Sequence, residues 1–133
     1  MRRASLTTFA LTILLTASGV AFAARPHFVG TPSCTVSGNQ LCCSGKVAGL
    51  GTAPTVVQVT AGFSCTNRGG NNPPGQASGQ SAPITPQGGQ ITFTNICTSG
   101  ANCPDDMTPT FGPATINIFQ NGNLVFSATI PTQ

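Results

Sequence analysis

Few side chains in this sequence can move a proton or hold a metal. There is one His, His27, and the acids are the adjacent pair Asp105-Asp106; Glu, Tyr and Trp are absent. A Ser-His-Asp triad would have to draw on His27, one of those carboxylates and one of several Ser. His27 lies close to the start of the expected mature chain, where segments fray, so an exposed terminal imidazole is the plainer expectation. Asp105 and Asp106 follow Cys103-Pro104 and invite Ca2+, with Asn102 and backbone carbonyls adding oxygens. Two carboxylates are few for such a site, and Asp after Pro is ordinary turn chemistry. Neighbours in an extended chain also point apart, which disfavours a shared-proton pair. The sequence therefore assigns no catalytic residue and no cofactor, and leaves Asp105 and Asp106 as the sole metal candidates.

Sulfur is the second chemistry. The six Cys are Cys34, Cys42, Cys43, Cys65, Cys97 and Cys103. Zinc sites pair their Cys two to four residues apart, and here the sole close pair is the vicinal Cys42-Cys43. An even count in an exported chain reads instead as three disulfides. Cys42 and Cys43 point to opposite faces of a strand, so they should join different partners, with Cys34 the near candidate for one of them. Spacing does not choose among the remaining pairings.

The third feature is a polar loop at 67–80, NRGGNNPPGQASGQ. It has no apolar periodicity and reads as a connection. Long loops in small domains often carry function. Arg68 can pair with an anionic group, and Asn67, Asn71 and Asn72 can hydrogen-bond a polar ligand. These four are the candidate binding residues. The glycines there do not form a dinucleotide fingerprint, since no helix follows.

The chain that must position these groups has 133 residues, 39% hydrophobic and 5% charged, with a formal net charge of +3. Arg2 and Arg3 precede an apolar stretch at 6–20, and Ala21-Phe22-Ala23 offers small residues for cleavage. That is the pattern of a secretory signal peptide over 1–23, with the mature chain at 24–133. Without those residues three cations face two carboxylates, a net of +1. There is no basic face for nucleic acid, and no second stretch of membrane-spanning length. Sugar platforms of Trp or Tyr are also missing, which disfavours a carbohydrate module.

The segments after the address are short, rich in β-branched residues, and punctuated by Gly and Pro. Strands are expected at 35–37, 41–48, 55–65, 82–85, 90–96, 114–120 and 123–130. In the fourth of these Pro83 restricts the segment to an edge. At 55–65, Val57, Val59, Ala61 and Phe63 alternate with Val56, Gln58, Thr60 and Gly62. Asn121-Gly122 between two alternating runs predicts a two-residue hairpin. One arm presents Ala114, Ile116 and Ile118, the other Leu124, Phe126, Ala128 and Ile130. No window shows helical periodicity. The expected fold is all-β: a single small antiparallel β-sandwich, immunoglobulin-like, of about seven strands and stabilised by disulfides. A small closed barrel is the alternative.

Two resemblances add to this. Cys34, seven residues, then Cys42-Cys43 resembles the opening of the hydrophobins, secreted proteins that coat interfaces, although that family has eight Cys and this chain six. The second covers most of the mature chain. Cys65-Thr66-Asn67-Arg68-Gly69-Gly70-Asn71, Pro74-Gly75-Gln76, Gly89-Gln90-Ile91-Thr92-Phe93 and Cys103-Pro104, with the closing hairpin, resemble a diffuse group of small exported actinobacterial proteins without assigned activity. That resemblance implies a bridge between Cys65 and Cys103.

The functional expectation is a secreted, non-enzymatic structural, surface-associated or binding protein whose partner is an extracellular protein or surface. The alternatives are a secreted inhibitor or toxin acting through 67–80, and a hydrophobin-like coat.

Overall fold

The computed structural model describes residues 25–66, 73–104 and 107–133. Among them are eight strands and no helix: β1 (His27–Phe28), β2 (Ser33–Ser37), β3 (Gln40–Ala48), β4 (Thr55–Thr66), β5 (Pro74–Gln80), β6 (Ile91–Cys97), β7 (Thr108–Gln120) and β8 (Asn123–Ile130). The expected signal peptide at 1–23 lies outside the described residues.

Two antiparallel sheets form. In the first, β3 is central. Val47 pairs with Phe28 of β1 and Ile91 of β6, and Cys42 pairs with Thr35 of β2 and Cys97 of β6. Since β6 takes one edge of β3, β1 and β2 follow each other along the other. The second sheet has the order β5-β4-β7-β8.

The core lies between the sheets. Leu41, Cys43, Val47, Ile91 and Phe93 face it from the first; Val57, Val59, Ala61, Ala114, Ile116 and Ile118 face it from the second. The alternation is realised as buried odd positions from Thr55 to Ala61 against more exposed even ones, with Phe63 half-buried. Burying each Val or Ile contributes about 1.5–3 kcal/mol. The result is the expected small, disulfide-stabilised β-sandwich.

The two layers also touch at both edges. The Ser99 N–H donates to the Ser78 carbonyl at 2.9 Å, beside β5, and the Gln133 N–H donates to the Cys34 carbonyl at 3.1 Å, beside β2. Within the first sheet, Thr98, 1% exposed, extends the β3–β6 pairing past Cys97: its Oγ1 accepts from the Leu41 N–H at 3.1 Å and its own N–H donates to the Leu41 carbonyl. Gly79 lies so close to the Cys97 carbonyl that a β-carbon there would collide with backbone. The closely spaced sheets therefore require Gly at that position.

Four expectations are corrected. The loop at 67–80 is shorter, because 74–80 is the edge strand β5, paired with β4 from Ser64↔Pro74 to Gln58↔Gln80. Its Gly, Gln and Ser carry little strand signal; the long partner β4 recruits them through backbone hydrogen bonds. The strand at 82–85 reduces to one bridge, Thr55↔Ile84. β7 begins at Thr108, ahead of the strand expected at 114–120. Leu124 is 55% exposed, because an extra residue, Val125, shifts the β7–β8 register and turns Leu124 away from the core. The hairpin itself is as expected: Asn121 and Gly122 have φ of 52° and 76°, the left-handed pair of a type I′ turn.

Candidate functional site

The bridges are Cys34–Cys43, Cys42–Cys97 and Cys65–Cys103. Each of the first two joins direct cross-strand partners of the first sheet. The vicinal pair on β3 thus reaches both neighbours from its opposite faces, Cys43 into the core and Cys42 away from it. Cys65–Cys103 is the pairing implied by the actinobacterial resemblance. It ties the end of β4 to the connection between β6 and β7, with the Cα atoms 5.5 Å apart.

That third bridge brings together the described flanks of the candidate segments, Cys65 and Cys103. Just before 67–72, the Cys65 N–H donates to the Pro73 carbonyl at 3.2 Å and so closes the base of the loop. Around 105–106, the Met107 N–H donates to the Pro104 carbonyl at 3.1 Å. The flanks of both segments are fixed by these contacts. The candidate residues themselves, Asn67, Arg68, Asn71, Asn72, Asp105 and Asp106, lie outside the described residues.

Beside this bridge runs an open groove of about 450 Å³ whose walls include Phe63, Pro74, Phe111 and Pro113, with the hydroxyls of Ser64 and Thr110 at its lip. The rings of Phe63 and Phe111 are cross-strand partners, their centroids 5.9 Å apart and tilted by 58°. Phe63 also lies over Gly75, its partner on β5. No lining side chain ionises. The groove can hold an apolar or neutral polar group, and it offers nothing for acid–base chemistry. Sequence reasoning placed Phe63 on a strand but missed the groove, since its far wall is made by the unforeseen β5.

His27 is exposed on β1, and its Nδ1 is hydrogen-bonded at 2.8 Å to the Arg25 carbonyl. Lys46, exposed on β3, borders a second groove of about 350 Å³ with Gln87, Gln90 and Thr92. Among the described residues no three His, Cys, Asp or Glu gather as metal ligands. Nor is any helix long and apolar enough to cross a membrane.

No protein-family model matches this chain, and no curated protein matches it. Among solved structures, it is similar to the Pseudomonas fluorescens alkylpurine DNA glycosylase AlkC bound to DNA containing an abasic site analog. The match covers 82% of this chain and 30% of that one, at 12% identity and a TM-score of 0.34. A likeness at that level carries no inference about fold or activity.

Proposed function

We propose that this chain is an exported, non-enzymatic binding or surface-associated module, built on an immunoglobulin-like strand order. The topology supports the last point. With β1 and β2 counted as one edge strand A, the sheets become A-B-E and D-C-F-G. That is the constant-domain arrangement with its fourth strand moved to the other sheet. The departure is in the cross-links, which run within the first sheet and to a loop rather than across the core between strands B and F.

One observation carries the functional reading. A scaffold held by three disulfides presents, among its described residues, no titratable side chain besides the exposed Arg25, His27 and Lys46. Disulfides at this density suit an oxidising, extracellular setting. The neutral groove and the loops tied by Cys65–Cys103 form the proposed contact end. A mostly apolar groove with a few hydroxyls in its lining has the make-up of a ligand-binding cleft.

The test uses the oxidised protein purified after export from a bacterial host. Co-sedimentation with the insoluble envelope fraction of the producing cells is expected to saturate. It should be unchanged when His27, Asp105 and Asp106 are all replaced by Ala. Turnover of chromogenic ester, glycoside or peptide substrates that disappears in the triple variant would overturn the reading.

A further inference from the structure

The sandwich has four sheet edges, and three carry a device against pairing with another chain. β5 opens with Pro74, which lacks an N–H, and its Ser78 carbonyl is taken by Ser99. Beside β2, Thr132 forms a parallel bridge with Cys34, and the Gln133 N–H occupies the Cys34 carbonyl. β6 is broken by a bulge opposite Ser44, where Asn95 has φ of 50°. The fourth edge is β8, whose single register shift lies near its start and leaves 126–130 uninterrupted. It pairs with β7 alone among the described strands.

β8 reads NLVFSATI, without a charge, Pro or Gly. Its register with β7 is irregular near Val125 and regular from Ile118↔Phe126 to Ala114↔Ile130. A regular antiparallel strand turns half of its backbone N–H and C=O groups away from its partner. Over 126–130 those groups face outward, beside the exposed Leu124.

We propose that this edge is a self-association surface. Two copies of the chain pair antiparallel through 126–130 of β8, joining two four-stranded sheets into one of eight. Three observations favour a second copy as the occupant. The strand is neutral, so an antiparallel copy sets no like charges opposite each other. The net charge of +1 over 24–133 gives little repulsion between copies. The polar rows on the outer face of the second sheet, Gln80-Gln58-Asn117-Ser127 and Ser78-Thr60-Thr115-Thr129, run in register across all four strands and stop at β8. A second copy continues them. With the β5, β2 and β6 edges interrupted or partly covered, the pairing closes on a two-fold axis and ends at a dimer rather than a fibre.

Sedimentation equilibrium of the exported, oxidised protein tests this. The wild type is expected to be a dimer, and Leu124→Lys with Thr129→Lys should raise its dissociation constant at least tenfold by placing like charges along the joint. Thr92→Lys, on the exposed face of β6, should leave the dimer intact. Amide exchange of the wild type gives a readout free of mutation: 126–130 should become at least tenfold better protected on concentrating the protein, and β6 should not. A monomer at every concentration, a mass growing beyond the dimer, or equal sensitivity to Thr92→Lys would each overturn the proposal.

Discussion

The two sheets of this sandwich solve the same problem by different means. The second is built of long strands, β4 of 12 residues and β7 of 13, and no Cys joins one of its strands to another. Its order comes from a long ladder, from Thr55↔Gln120 to Thr66↔Thr108 with one register shift between Ala61 and Phe63, and from five small or branched side chains in the core centre: Val57, Val59, Ala114, Ile116 and Ile118. The first sheet has strands of five, nine and seven residues around its bridges. It is stitched across its width at two consecutive residues of β3. Long alternating strands hold each other by burial and hydrogen bonding. Short strands, which bury less, are held by restricting the unfolded chain.

If that division is right, cutting the stitches should hurt most. Replacing Cys42 and Cys97 by Ala removes a link spanning 55 residues. Loop-closure entropy puts the loss at about 4 kcal/mol, read as a fall in the urea midpoint. A loss near zero would mean that the first sheet stands without its stitches.

The second sheet should answer instead to cavities. Ile116 is fully buried, so Ile116→Ala should cost about 3 kcal/mol by the same assay. The variant should keep all three bridges by thiol titration. The comparison sharpens within the first sheet, where Cys34–Cys43 spans only 9 residues. Its replacement by Ala at both positions should cost about 3 kcal/mol, less than the longer link. The reverse ranking would point to packing rather than chain entropy as the stitch's contribution.

The contact between sheets is probed by Gly79→Ala. The added methyl meets the Cys97 backbone, and overpacking of this kind costs about 2 kcal/mol. The smallest effect belongs to the hairpin of the second sheet. Gly122→Ala places a β-carbon at φ of 76° and should lower stability by about 1 kcal/mol, seen as a modest drop in melting temperature.

The same contrast explains what the sequence could announce. β4 and the β7–β8 hairpin were legible because alternation over many residues and an Asn-Gly turn are local signals. β1, with two residues, has no period to read, and β5 is a strand only because β4 offers it an edge. Leu124 misled because parity counts through a bulge that sequence does not mark. The opposite faces of Cys42 and Cys43 were legible from strand geometry, whereas their partners depended on which strands flank β3. The groove at Phe63 and Phe111 escaped for the same reason: it is made by a register between distant segments.

The claim beneath all of this is the pattern of oxidised sulfur. Peptide mass mapping of the purified protein without reduction, with backbone fragmentation between Cys42 and Cys43, reads that pattern directly. The account predicts Cys34 with Cys43, Cys42 with Cys97, Cys65 with Cys103, and no free thiol. Free thiols, or Cys42 joined to Cys34, would contradict it.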